Sequence, residues 1–528
     1  MVEGKNFFFD KVNACRFFFG LLFLNFLTHF LFIFRLSFVS DDWSELVYSV
    51  FKQYSFHTLL LESQRPLYYI ILKGTAGILE RNAFAYQVLN LTTTTLILFL
   101  IFLISDIMLK KVFKDSRTCA FLVAGLFCIS FNTDQLYNWS IIFANNFAFI
   151  LYLSSMYFYI NPNRKPSTIF LSLFTYFVAV FTYELGIFLP LIYFVYDYVF
   201  DDDWKRSILF IIPSGLYGII RATQGFGMGW AFINRDYWSS SEFFPRISQN
   251  FLHNFVQEGA VAGLNFYYGI TGLFSLNQIM SIALVLSDIA CIFLLMRYCI
   301  LPWLSQEGEA ADFRSAMKLF LLGAGVFFIC HTIISISGDA APRHMIFIDF
   351  FILLGIVALA GTVLTKKSAA VPVFCIILLC VLINQGLSVN WIIAGDICNS
   401  VDRSISEDAG IISGYHYVFV NGTDLRDAIP NAALKYNFRN YQYNNYLNSP
   451  CLPDWSVLAM LSGAGVNTSA VRLIYGNYPG AGPAGAPVQS EKTSTLDGMD
   501  RKGVFEFNST NLLQYYYREK SSDLLFSQ

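Results

Sequence analysis

The sequence predicts a polytopic α-helical membrane protein: about eleven transmembrane helices, surface helices in the first outer loop, and a small C-terminal extracytoplasmic domain of α/β type. Three observations carry this reading. Of 528 residues, 55% are hydrophobic and 14% charged, with mean hydropathy +0.51, whereas soluble domains are roughly 25% charged. Apolar runs approach the ~20 residues that a helix needs to cross a bilayer. Lys and Arg gather on every second connection, the arrangement that fixes orientation. The net charge of -2 gives no sign of a nucleic-acid partner.

Spans are expected near 17–38, 86–108, 118–131, 139–160, 168–183, 185–200, 207–221, 278–300, 318–335, 345–365 and 370–394. The first is flanked by Arg16 and Arg35 and is followed by no small-residue cleavage site, so it reads as a retained helix, not a removed signal peptide. Basic connections are KKVFKDSR (110–117), NPNRKPS (161–167), DDDWKR (201–206), 301–318 and TKK (365–367). With Lys5, Lys11 and Arg16 they define a cytoplasmic side that includes the N-terminus. The outer side then receives 39–85, 131–138, the Tyr183-Glu184 turn, 222–277, 337–345 and the tail. The domain division expected is 1–395 for the membrane part and 396–528 for the tail. YHYVFV (415–420) and AVRLIYG (470–476) read as strands of the tail, and its Gly/Pro/Ala-rich stretch 477–490 reads as a linker.

Six of the ten cysteines (119, 128, 291, 330, 375 and 380) fall inside apolar runs, where they act as small hydrophobes. Cys398 and Cys451 lie in the polar tail and could pair in an oxidising compartment. No CxxC or His/Cys cluster points to a metal site.

Candidate chemistry lies on the outer side. After the first span comes SDDWSELVYSVF, in which Trp43, Leu46, Val47, Val50, Phe51 and Tyr54 recur at helical spacing. This is an amphipathic surface helix with Ser40 as its cap and Asp41 and Asp42 in its first turn. Acids there are ordinary helix-start chemistry, and they are also a carboxylate pair held at the membrane surface. In ESQRPLYY (62–69), Pro66 suits the first position of a helix, placing Arg65 at its N-terminus, where an Arg and free N–H groups form an anion site. GDAAPRHM (338–345) repeats the device with Arg343 and His344, although snorkelling to headgroups also explains either Arg. Glu184, after Tyr183, is an ionisable residue at a tight turn between apolar segments, or simply a helix-start acid. His57 reads as interfacial. Lys73 either adds charge near Arg65 or solvates its helix. The aromatics of 222–277 suit sugar stacking or an interfacial belt, and GFGMGW (225–230) lacks the strand that a nucleotide fingerprint requires.

Ser40-Asp41-Asp42-Trp43 followed by Arg65-Pro66-Leu67 resembles the GT-C superfamily of membrane glycosyltransferases, which use polyprenyl-phosphate-linked sugars. The spacing looks most like the bacterial glucosyltransferases that decorate lipopolysaccharide O-antigen. The resemblance covers the architecture of about the first 395 residues and short motifs within it. It implies inverting transfer of a hexose, glucose by the nearest likeness, to an extracytoplasmic glycan. Asp41 would be the base, with Asp42 orienting acceptor or base. Arg65, Arg343 and His344 would bind the donor phosphate, and Tyr183, Glu184, His57 and Lys73 are candidate substrate contacts. It implies a bacterial inner-membrane protein with a periplasmic tail. Its partners would be the lipid-linked donor, a glycan or lipid-linked acceptor, and membrane lipids. The resemblance fixes no cofactor, and metal dependence stays open because an adjacent acid pair could hold a divalent cation. Other GT-C transferases, with protein or lipid A acceptors, share this chemistry. A transporter or flippase of lipid-linked sugars would instead place ionisable groups mid-membrane, and an O-antigen polymerase would also use outer-face Arg.

Overall fold

A computed structural model describes residues 15–38, 42–47, 55–62, 65–114, 116–130, 135–162, 165–200, 204–223, 278–300, 312–337, 346–363 and 366–412. It also describes isolated positions between 245 and 273 and short pieces of the tail at 417–421, 454–466, 472–476, 504–506 and 514–516. Asp41, Arg343, His344 and Cys451 lie outside the described residues.

Long uninterrupted apolar runs make long helices, because only a helix satisfies its own backbone in lipid. In chain order these are α1 (Cys15–Phe30), α2 (Phe56–Glu62), α3 (Pro66–Leu79), α4 (Ala83–Leu109), α5 (Ser116–Cys128), α6 (Phe143–Ile160) and α7 (Pro166–Thr182). There follow α8 (Leu189–Phe200), α9 (Ile211–Thr223), α10 (Gln278–Leu295), α11 (Phe313–Ser337), α12 (Ile346–Val363) and α13 (Lys366–Ile412). Among the described residues, five segments are long and apolar enough to cross a membrane: Ala83–Leu109, Ser140–Ile160, Ser281–Tyr298, Phe313–Thr332 and Val371–Val389. Shorter apolar helices, α1, α3, α5, α7 and α12 among them, pack beside these.

At both ends of the chain the helix boundaries differ from those of the expected spans, although the apolar segment Val371–Val389 lies inside the last of them. The first is expected to run to 38, but its last helical turn, Phe26–Phe30, is wound as a π-helix and gives way to turns. Donors from α13 enter that turn: Gln385 Nε2 to Leu27 O (2.9 Å) and Ser388 Oγ to His29 O (3.4 Å). The last span is expected to stop at 394, yet α13 continues to Ile412. The residue taken as the start of the tail domain, 396, therefore lies inside a continuous helix. Close contact explains the continuation, since Asn399 donates to Ser37 Oγ at 2.9 Å and a Cβ on Gly395 would stand 2.8 Å from Ser37.

In the tail, β1 (Tyr417–Asn421) pairs in parallel with β2 (Arg472–Gly476), with α14 (Asp454–Gly463) between them in sequence. A parallel pair needs such a crossover. β3 (Val504–Glu506) and β4 (Gln514–Tyr516) form an antiparallel pair.

Glycines set the closest helix pair. A Cβ at Gly323 of α11 would stand 2.6 Å from Phe351 O of α12, and one at Gly355 would stand 2.9 Å from Phe320 Cα. Small residues here let two backbones touch, the usual device of membrane helices. α6 and α7 form an antiparallel hairpin clasped at its middle, where Ser155 Oγ donates to Ser172 O at 2.8 Å and Ser172 Oγ to Ser155 O at 2.7 Å.

Contacts between connections sort into two groups. Asp312 N bonds Val112 O (3.2 Å), Lys318 Nζ bonds Val199 O (3.1 Å), and Lys111 Nζ lies 4.3 Å from the centre of the Phe200 ring. The second group joins Ser37 to Asn399, Asp42 to Ile141 and Arg65 to Glu184. The first group falls on connections read as basic or on the span ends beside them, and the second on connections and span ends read as outer.

Candidate functional site

The candidate site stands where α3 begins. Pro66 has no N–H to lose and a φ already suited to a helix, so α3 starts there with Arg65 as its N-cap (φ -134°, ψ 74°). The Arg65 side chain makes no capping bond to that end. α3 packs against α6, α7 and the turn Trp43–Val47. Tyr183 terminates α7 in extended backbone, and a 3-10 turn, Glu184–Gly186, then redirects the chain into α8.

That turn carries Glu184 to Arg65. The carboxylate accepts from Nε at 2.9 and 3.2 Å and from Nη2 at 2.7 Å, a two-pronged, charge-assisted clasp. Both side chains are partly exposed, 32% and 24%. The guanidinium carbon lies 4.3 Å from the centre of the Tyr183 ring, and Tyr68 stacks behind that ring at 6.2 Å. Burial works against the Arg65 charge, but Glu184 opposite and the Tyr183 phenol beside it outweigh burial, holding the guanidinium above its ordinary range.

The clasp uses the Nε–Nη2 edge. A guanidinium has five N–H donors in a fixed fork, and among the described residues every hydrogen bond of this side chain goes to Glu184. The Nη1–Nη2 edge thus keeps donors for a second anion. Glu184 fixes the plane of the fork from one side and Tyr183 from below, which suits Arg65 to hold an oxyanion. The turn beneath is equally constrained. Tyr152 donates to Tyr183 O at 2.5 Å, and its ring fills the space where a side chain on residue 186 would lie, so Gly186 is required there.

Asp42 has a different setting. It is buried, and its Oδ1 accepts the Ile141 N–H at 2.7 Å, which caps the 3-10 turn Ser140–Ile142 ahead of α6. Because α6 and α7 are antiparallel, Ile141 and Tyr183 stand at the same end of the hairpin. Asp42 and Arg65 are therefore tied to neighbouring ends of one unit, on the side read as outer.

The remaining predicted residues separate from this cluster. Lys73 lies 5.1 Å from the centre of the Phe56 ring, joining α3 to α2, and stands roughly 12 Å along the helix from Arg65 by its rise per residue. His57 is exposed on α2. Cys398 is buried in α13. Among the described residues no group of three or more His, Cys, Asp or Glu could hold a metal. Sequence reasoning missed Tyr68, Tyr152 and Gly186. Tyr68 was legible as the i+3 neighbour of Arg65; Tyr152 and Gly186 carry no local signal.

No family model matches the chain, and no curated protein matches it. What the helices and their composition define is the class, a helical membrane protein with a charged, aromatic-lined cluster at one end of a helix hairpin.

Proposed function

We propose that the protein is a GT-C-like glycosyltransferase, moving a hexose, glucose by resemblance, from a polyprenyl-phosphate carrier to an extracytoplasmic glycan such as O-antigen. In this reading the chain crosses the bacterial inner membrane about eleven times, with its N-terminus cytoplasmic and its tail periplasmic. The supporting observation is the Arg65–Glu184 clasp, which orients a guanidinium at a helix N-terminus and leaves one edge of its fork for an anion.

The reaction has three demands. The acceptor hydroxyl gives its proton to a base, the new oxygen–C1 bond forms, and the C1–phosphate oxygen bond breaks with its electron pair leaving on the polyprenyl phosphate. A single displacement inverts C1. Arg65 meets the third demand: donors set in place before the reaction stabilise charge that appears on the leaving oxygen, without reorganisation as the bond breaks. Asp41 takes the first role, with Arg343 and His344 as further phosphate ligands. Asp42, buried and bonded to the Ile141 N–H, takes a positioning role.

The test is to supply membranes containing the protein with polyprenyl-phosphate-glucose and other lipid-linked sugars, and to weigh the glycan afterwards. A hexose added with wild type but not with Arg65→Ala supports the reading; no transfer from any lipid-linked sugar ends it.

A further inference from the structure

On a different helix from those that carry this cluster, α10 places an acid inside the apolar segment Ser281–Tyr298. Its lipid-facing stripe is Ile282, Leu286, Ile289 and Phe293, all exposed, while Asp288, Ile292 and Leu295 form the inward stripe. Asp288 is fully buried and among the described residues forms no ion pair. Its Oδ1 accepts from Gln385 Nε2 of α13 at 3.1 Å, and the same nitrogen donates to Leu27 O of α1 at 2.9 Å. The contact with a carbonyl oxygen fixes the amide, since only the nitrogen side can face it.

Among the described residues two buried acceptors then remain unpartnered at one clasp: Asp288 Oδ2 and Gln385 Oε1. Unsatisfied buried oxygens are rare in native structures, and a carboxylate without a counter-charge is costly in hydrocarbon. One proton answers both. On Asp288 Oδ2 it converts an acceptor into a donor, and Gln385 Oε1 is the acceptor that lacks one. We propose that Asp288 and Gln385 form an intramembrane proton-binding site, in which the neutral carboxylic acid and the amide close a two-bond ring that joins α10 to α13 and the π-helical turn of α1.

The other titratable groups on these three helices offer no replacement for the proton. His29 on α1 is committed through Nε2 to Cys128 O at 2.7 Å. Cys291 and Cys380 supply no positive charge. Arg16 opens α1, Lys366 and Lys367 open α13, and Arg297 follows α10, while Asp396, Asp402, Arg403, Glu407 and Asp408 lie roughly 16 Å or more of helix rise beyond Gln385.

The proposal is independent of the glycosyltransferase reading and is tested without any activity. The full-length protein in lipid nanodiscs is compared by infrared spectroscopy and thermal melting with Asp288→Asn, Asp288→Leu and Gln385→Leu. A protonated-carboxyl C=O band at neutral pH that disappears in Asp288→Asn is expected. Asparagine can reproduce both bonds of the ring, so that variant should melt with wild type while both leucine variants melt several degrees lower. The proposal is overturned if wild type and Asp288→Asn have the same carboxyl band, or if Asp288→Asn fails to fold or melts as low as the leucine variants.

Discussion

Glu184 grips Arg65 by one edge of its guanidinium, at 2.9 Å from Nε and 2.7 Å from Nη2, across 119 positions of sequence. The relationship makes Arg65 a fork rather than a point charge, so the two basic side chains are not interchangeable here. Arg65→Lys is expected to lower turnover with lipid-linked donor by roughly 10²-fold or more, the scale for losing one preset donor to a developing oxyanion. Glu184→Gln keeps an acceptor and should be milder, raising KM for the donor more than it lowers kcat. Wild-type donor affinity and rate in Arg65→Lys would remove the phosphate role.

Below that clasp, Gly186 lies against the Tyr152 ring with no room for a Cβ. Tyr152 cannot simply swing away, because its hydroxyl is bonded to Tyr183 O. Gly186→Ala should therefore cost about 1–3 kcal/mol, as for overpacking elsewhere, and should shift the turn that carries Glu184. Thermal melting reports the first effect and donor KM the second. A variant with both at wild-type values would show that the turn has slack.

Much of this arrangement was legible in the sequence, and the reason is periodicity. The helix beginning at Pro66, the apolar stripe Trp43, Leu46 and Val47, and Arg65 at a helix start all follow from local chemistry that lies within one or two turns. The Arg65–Glu184 pair does not, since each residue has its own local explanation and only the packing of α3 on α7 joins them. The same limit applies to α13. Hydropathy falls after residue 394, but the helix continues because Ser37 and Asn399 meet, a contact across 362 positions. The π-helical end of α1 has the same origin, in side chains of α13.

Asp312 gives a pH-dependent prediction at the opposite end of the molecule. It precedes α11, its Oδ2 accepts from Ser315 Oγ at 2.6 Å, and its Oδ1 accepts from Arg314 N at 3.0 Å. The Ser315 hydroxyl, followed by the backbone N–H groups, holds its carboxyl below the usual range. A depressed folded-state value means that the cap contributes fully above the unfolded value of about 3.9 and is lost as pH falls through the lower, folded one. Amide exchange in the first turn of α11 should accelerate through that acid window in wild type. Asp312→Asn should remove the pH dependence; an unchanged profile would place the titration elsewhere.

Adjacent carboxylates Asp41 and Asp42 are expected to behave as opposites. Asp42 is buried, with the Ile141 N–H at 2.7 Å, so its loss leaves a buried donor unpaired at the start of α6. Asp42→Ala should cost about 1–3 kcal/mol, the usual penalty for such a group, and activity should fall with the amount of folded protein. Asp41→Asn should leave melting unchanged and reduce turnover by about 10²–10⁴-fold, as removal of a general base does. The measurements are melting and single-turnover rate on the same purified protein. Two variants that lose stability equally and keep equal specific activity would make both acids helix-start residues, and the base would have to be sought elsewhere on the outer face.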